Sequence, residues 1–210
     1  MEVVSVFIAL FSLAISIIAI YHSIFKKPHL TAHVGPQVVA IYEERDLTIT
    51  VPVTIANDSP NIGAVERCAL TIAPLSKRNQ NWHMVWESFR TITADGSTWV
   101  QKGVAHSIPV LSRSKSTENI RFKWQGNNTD KLELEEGGYM FRLDFMTSKN
   151  APNLSVKYQL YISKDDASLL VSSRTHDKTR ISSGVVYLSL DSETRSNKLL
   201  TDSELDSWIN

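Results

Sequence analysis

The sequence is poor in cysteine and has no excess of either charge. Its 210 residues include one cysteine, Cys68, so no disulfide bond can form within the chain. The 22 basic residues equal the 22 acidic residues, whereas nucleic-acid-binding proteins usually carry a basic excess. We therefore expect no nucleic-acid partner, and the lack of disulfides favours a reducing compartment.

Motifs of catalysis and cofactor binding are also missing. The sequence has no Gly-x-Ser-x-Gly, no phosphate-binding loop with Gly-Lys-Ser/Thr and no dinucleotide-binding glycine pattern. Its six histidines are scattered, and none pairs with another at metal-ligand spacing. The pattern predicts no metal site, no cofactor and no catalytic residues, and so a protein that is not an enzyme.

Charge is absent from one long segment at the start of the chain. Residues 3–25 contain no Asp, Glu, Lys or Arg. A helix of that length covers a hydrocarbon core of about 30 Å. A signal peptide would require a basic start and a cleavage site after the apolar run. Met1-Glu2 is not basic, and no good cleavage site follows. The segment predicts an uncleaved single-pass transmembrane helix.

Small residues within this segment recur at steps of four and three. They are Ser5, Ala9, Ser12, Ser16, Ala19 and Ser23, and we call them the small-residue seam. Helices in lipid associate through close backbone approach and hydroxyl hydrogen bonds, which small residues allow. The seam predicts packing against another copy of the chain or another membrane protein. In the alternative, each serine is satisfied by its own backbone.

The residues that flank the helix indicate its orientation. Lys26 and Lys27 follow directly, in a short basic linker over residues 26–30. Positive flanking charge stays on the cytoplasmic side, which predicts a cytoplasmic domain. Asn-x-Ser/Thr triplets begin at Asn57, Asn127 and Asn153 and would argue for the other side in a eukaryotic secretory route.

Alternating apolar and polar residues dominate the chain after the linker. The clearest case is DLTITVPVTIAN, where alternate residues from Leu47 to Ile55 are apolar and Pro52 suggests an edge or a bulge. AVERCALTIAP places Cys68 on an apolar face, as a core residue rather than a nucleophile. KLELEEGGYMFRLDFM predicts a hairpin around Gly137-Gly138.

Seven to nine such strands, with no convincing amphipathic helix among them, predict a mainly β domain over residues 31–190. The expected fold is an antiparallel immunoglobulin-like β-sandwich. Asp165-Asp166 is interpreted as a turn. Residues 191–210 form a polar tail, in which Thr201-Asp202-Ser203-Glu204 has capping-box spacing for a short terminal helix.

EEGGYMFRLDF resembles the glycine-then-tyrosine entry into a late strand of immunoglobulin-like and fibronectin type III domains. The whole layout, a helix followed by alternating strands, is similar to uncharacterised bacterial membrane-anchored β-sandwich proteins and to the plant late-embryogenesis β-sandwich group. This resemblance implies a fold and no chemistry.

Four tryptophans are candidates for a partner surface, because tryptophan is over-represented at binding hot spots: Trp82, Trp86, Trp99 and Trp124. If they lined an apolar cavity instead, the domain would bind a lipid or a sugar. A membrane-tethered hydrolase or sugar-active enzyme would require Glu87, His106 or Glu118 to converge with other polar groups. The leading hypothesis is a non-catalytic membrane protein whose domain binds protein partners and whose helix assembles.

Overall fold

The structure is a computed structural model of the 210-residue chain. It describes residues 2–25, 27–43, 46–77, 80–94, 96, 99–124, 132–147, 153–174 and 185–190. An apolar helix, α1 (Glu2–Ile20), continues into a π-helical turn, Tyr21–Phe25. The elements that follow are β1 (Leu30–Val34), β2 (Gln37–Glu43), β3 (Asp46–Asn57), β4 (Gly63–Val65), β5 (Arg67–Pro74), β6 (Trp82–Ile92), β7 (Trp99–Val104), β8 (Ile108–Val110), β9 (Ser114–Trp124), β10 (Gly137–Met146), β11 (Leu154–Ile162), α2 (Lys164–Arg174) and β12 (Val185–Ser189).

The described part of the chain is mainly β, and every strand pair in it is antiparallel, as predicted. The main sheet runs β11-β10-β5-β6-β9-β3-β2-β12, with β1 also on β3 and β7 also on β6. It curls until β11 approaches both β12 and β1 at the opposite end of this order. The Tyr158 hydroxyl on β11 hydrogen-bonds the backbone of Val34 across that closure. The result is a nearly barrel-like sheet.

Strand β3, the longest described strand, changes partner along one edge. The edge of β3 opposite β9 pairs first with β2 and then with β1. Pro52 lies at the change, and its carbonyl accepts a hydrogen bond from the Gly35 amide at 2.7 Å. The missing N–H of Pro52 therefore faces the break between β1 and β2, where the ladder loses nothing. Pro52 thus lies at an irregularity of the ladder, as predicted, although β3 itself is inside the sheet and not an edge strand.

The core follows the alternation of the sequence. The five apolar residues that alternate in β3 are each at most 3% exposed: Leu47, Ile49, Val51, Val53 and Ile55. Cys68 is buried with them, and burial raises the pKa of its thiol, so it is a core residue. A cavity of about 10 Å³ lies between the walls, room for at most one water. The interior is therefore packed.

A bulge in β6 explains why Phe89 is out of step with Trp82, Met84 and Trp86 on the same strand. Trp86 pairs with Phe122, but the next pair joins Ser88 to Arg121, so Glu87 is the extra residue. The insertion places Phe89 opposite Ile120 on the inward face, where Phe89 is 2% exposed.

Two local predictions are wrong. Asp165 and Asp166 lie in the first turn of α2 rather than in a loop, because Ser163 caps this helix: its hydroxyl accepts from the Asp166 amide at 3.1 Å. Residues 132–136 form no hairpin, since β10 pairs with β5 and β11. The predicted tail, 191–210, and Lys26 lie outside the described residues.

Candidate functional site

Helix α1 presents its apolar residues to the exterior. Within Val3–Ile20 no residue is buried, although the segment is long and apolar enough to cross a membrane. Phe7 and Phe11 are each 69% exposed. A buried core helix would be covered by the domain, so this helix requires an apolar environment outside the protein or removal from the chain as a signal sequence.

The small-residue seam lies along α1, with Ser23 in the π-helical turn and its side chain outside the described residues. The Ser16 hydroxyl donates to the Ser12 carbonyl one turn earlier at 2.9 Å. Back-bonding of this kind satisfies a serine without a neighbouring helix. For Ser16 the structure therefore matches the backbone alternative, while close approach along the seam stays a prediction.

The four tryptophans do not form one surface. Trp82 and Trp86 are 6% and 8% exposed and belong to the core, so the prediction of a partner surface is wrong for these two. The Trp86 indole donates to the Ser88 carbonyl at 3.3 Å and stacks edge-on against Phe89. Trp99 and Trp124 are half-buried on different strands.

The three groups proposed for acid–base chemistry contact different partners. Glu87 lies 3.3 Å from Arg121, on the outer face of the sheet. Glu118 lies on the opposite face of β9 from Arg121 and pairs with Lys102 at 2.7 Å. His106 packs its ring on Phe89. Among the described residues, no group of three His, Cys, Asp or Glu side chains could hold a metal ion.

At one end of the sheet, which we call the near end, the chain arrives from α1. Here the side chain of Asn57, 1% exposed, ties together the loops that follow β3 and β8. Its amide nitrogen donates to the carbonyls of Asn61 at 2.7 Å and of Val110 and Leu111 at 3.1 Å. Its oxygen accepts from the Ser59 hydroxyl at 2.6 Å. Asn57 is therefore no accessible glycosylation site.

The loops held by Asn57 carry a small two-stranded ribbon, β4 with β8. Its inner residues Val65 and Val110 are fully buried, whereas Ile62 and Leu111, one position beyond the last pair, are 66% and 61% exposed. Arg113 follows in the left-handed region with φ of 50°, and its amide donates to the Ser59 carbonyl at 3.2 Å.

At the opposite end, the far end, buried tyrosines hold residues 132–136. The Tyr42 hydroxyl donates to the Leu132 carbonyl and accepts from the Leu134 amide, both at 3.0 Å. The Tyr139 hydroxyl makes the same pair of bonds with the backbone of Glu135. Leu132 and Leu134 are thereby drawn into the core, while the glutamates between and after them face outward.

The outward glutamates border a cleft of about 370 Å³ at the far end. Its lining includes Trp82, Lys77 and three carboxylates, Glu133, Glu135 and Glu136. Lys77 lies 3.5 Å from Glu135. This polar cleft contains one tryptophan and differs from the apolar, tryptophan-lined cavity that lipid or sugar binding would need.

Sequence reasoning missed the roles of Asn57 and Tyr42. Asn57-Asp58-Ser59 carries the signal of an Asx turn, in which the side chain bonds the backbone two residues on. That signal predicts the bond to Ser59 but not the bonds to a loop 53 residues away. The partners of Tyr42 lie 90 residues further along the chain, with no local signal.

No protein-family model matches the chain, and no curated protein matches its sequence. Among solved structures, the candidate lipoprotein ycdA of Bacillus subtilis matches with a TM-score of 0.35 and 11% identity over 63% of this chain and 36% of its own. The β-glucosidase of Kluyveromyces marxianus matches with a TM-score of 0.29 and 11% identity over 67% of this chain and 17% of its own.

CsgH of R. palustris matches with a TM-score of 0.20 and 12% identity, over 63% of this chain and 92% of its own. The chain thus spans about a third of the ycdA protein and less than a fifth of the β-glucosidase. All three TM-scores lie below 0.5, so these likenesses assign neither a fold family nor an activity to this chain.

Proposed function

We propose that the protein is a single-pass membrane protein whose immunoglobulin-like domain binds protein partners and has no catalysis of its own. The observation that carries the proposal is α1, which is uniformly apolar and, over Val3–Ile20, wholly unburied by the domain. Exposing such a helix to water is unfavourable by about 25 cal/mol for each Å² of apolar surface. A lipid bilayer removes that cost.

The immunoglobulin-like assignment is supported by strand order. β1 and β2 with β3 and β9 correspond to the A, B and E strands, and β5, β10 and β11 to C, F and G. β6 joins the two groups by pairing with both β5 and β9. Tyr139, near the start of β10, bonds the backbone four residues upstream, as in the tyrosine corner of these domains.

Assembly through the helix rests on the small-residue seam. Ser5, Ala9, Ser12, Ser16 and Ala19 lie on α1, whose bulky residues occupy its other faces. A second helix can approach closely only along such a stripe. The partner is a second copy of the chain or another membrane protein. Lys27, exposed just after the helix, together with Lys26 favours a domain on the cytoplasmic side.

The proposal is tested by extracting the full-length chain from membranes in a mild detergent and measuring its native mass. A helical anchor resists alkaline carbonate, and its release from the membrane by carbonate would contradict the proposal. Co-purifying proteins, identified by mass spectrometry, would supply the partner.

Variants of the seam separate anchoring from assembly. Ser12→Leu with Ser16→Leu should leave membrane extraction unchanged and dissociate the complex, because leucine blocks close helix approach. Leu10→Ile with Leu13→Ile, off the seam, is the matched control. An assembly that is unaffected by the seam variant would remove the seam as its contact.

A further inference from the structure

The near end of the domain carries an exposed apolar surface beside the point where the chain leaves α1. Ile62 and Leu111 are 66% and 61% exposed, on the outer face of the β4–β8 ribbon. Pro109 is exposed on the same face, and Ala64 is half-buried there. We call these four residues the ribbon patch.

The ribbon patch is fixed to the start of the domain. The Asp58 amide donates to the His29 carbonyl at 3.2 Å. A Cβ added to Gly63 would lie 2.8 Å from a methyl group of Leu30 and 3.1 Å from Pro28. The ribbon therefore packs directly on the residues that follow α1.

Chain length places the ribbon patch at the bilayer surface. Pro28 is three residues beyond Phe25, the last residue of the helical segment, and three residues span at most about 11 Å. Because Gly63 contacts Pro28, the ribbon stays close to the end of the helix whatever the angle between helix and domain. The argument rests on the proposed function, in which α1 spans the membrane.

Charge around the ribbon patch suits lipid headgroups. Lys27, Arg113 and Lys115 are exposed at this end, together with the acidic residues Asp58 and Glu66. Exposed basic residues beside apolar ones are the composition of surfaces that enter the headgroup region.

Arg113 supplies a second observation. It adopts φ of 50°, a conformation that glycine or asparagine accepts more readily than arginine. Its exposed side chain makes no contribution to the core that would explain arginine at such a position. Strained backbone of this kind is concentrated where a side chain has a role in binding.

We infer that the ribbon patch docks on the membrane in which α1 lies, with Ile62 and Leu111 entering the headgroup region and Arg113 contacting anionic headgroups. The domain is then held at the bilayer in one orientation, its far-end cleft directed away from the lipid.

The experiment uses the full-length chain in lipid nanodiscs, with a fluorescent label on cysteine introduced by Ile62→Cys or Leu111→Cys. Native Cys68 is 5% exposed and will not react in the folded protein. Leu169→Cys, on α2 at the far end and 47% exposed, is the matched control. Brominated phosphatidylcholine quenches fluorophores that contact lipid chains.

Docking at headgroup depth should quench the labels at positions 62 and 111 roughly twofold and leave the label at 169 within about a tenth of its value. Equal fluorescence at all three positions, with the chain retained in the nanodisc, would overturn the docking and leave the anchor intact. Failure of the chain to enter nanodiscs would overturn the proposed function together with the docking.

The variant Arg113→Gly tests the charge of this side chain without destabilising the fold. The variant relieves the strained φ, so its thermal unfolding temperature should stay equal or rise. In nanodiscs with anionic phosphatidylserine, quenching at position 62 should nevertheless decrease. Unchanged quenching in this variant would overturn the contact between Arg113 and headgroups.

Discussion

At the near end, one amide side chain holds two loops, whereas at the far end two tyrosine hydroxyls hold one extended segment. Asn57 donates to three carbonyls and accepts from Ser59. Tyr42 and Tyr139 each donate to one carbonyl and accept from one amide. In both places a side chain rooted in a strand supplies the hydrogen bonds that irregular backbone cannot make with itself.

The difference lies in what each end presents outward. The near end exposes Ile62 and Leu111 beside basic residues, and the far end exposes three glutamates around a cleft. Because the buried side chains of Asn57, Tyr42 and Tyr139 hold the backbone, the outward side chains contribute little to stability. The two ends can therefore differ in chemistry while the sheet between them stays the same.

The largest test of this comparison is Asn57→Ala. The substitution leaves several carbonyls and the Ser59 hydroxyl without their buried partner, and should lower the free energy of unfolding by about 3 kcal/mol. Urea unfolding measures the change. Asn153→Ala, at an exposed asparagine, should stay within about 0.5 kcal/mol of the parent. Equal effects at the two positions would mean that Asn57 does not organise the near end.

The far end is tested by Tyr42→Phe and Tyr139→Phe. Removing the Tyr42 hydroxyl strands two buried backbone groups and should cost about 2 kcal/mol of unfolding free energy. The Tyr139 change should cost about 1 kcal/mol, because Glu135 is exposed and water can replace the lost partner. Urea unfolding of both variants gives the order, and the reverse order would contradict this account of burial.

A smaller effect is the pH dependence of the unfolding free energy that Tyr139 gives to the far end. Burial is the main cause that raises the pKa of Tyr139 above its ordinary value of 10.0. The unfolded chain then releases this proton at lower pH than the folded protein does. Stability from this group is complete below about pH 10 and is lost as pH rises through the folded pKa.

Unfolding free energies between pH 8 and pH 11 measure the loss, which Tyr139→Phe should reduce. Tyr158, whose pKa burial also raises, contributes in the same direction and should account for part of the remaining slope. Asn57 does not titrate, so its hydrogen bonds add nothing to this slope, whereas the buried thiol of Cys68, whose pKa burial also raises, adds to it in the same direction. A profile unchanged by Tyr139→Phe would show that this hydroxyl is not held protonated by the fold.

Much of the sheet could be predicted from the sequence, because alternation is a local property. In β3, β5 and β10 the apolar residues that alternate are the residues that the structure buries. Phe89 is out of step with Trp82, Met84 and Trp86, because a bulge at Glu87 depends on the pairing of β6 with β9. The sequence of either strand alone does not determine that pairing.

Local signals misled where hydrogen bonds come from elsewhere. Leu132 and Leu134 alternate like strand residues, but their backbone groups bond to Tyr42 rather than to a neighbouring strand. Helix α2 was missed because its apolar face is short: among its described side chains, Leu170 alone is fully buried. Ser163 and Asp166 nevertheless have the spacing of a cap. The outward position of the near-end residues likewise depends on contacts of Asn57 that cross the domain.

The partner change along β3 has a mechanical consequence. If α1 anchors the chain as proposed, a pull on the domain along its long axis passes from α1 into Leu30. Leu30 is the first residue of β1, which pairs with β3 over five residues. Such a load acts parallel to the strand, so these pairs share it instead of opening one by one. Gly35 and Pro52 separate β1 from β2, so rupture of β1 would stop there. Because β1 already lies extended along the pull, its release would add almost no length to the tether while the rest of the sheet stayed folded.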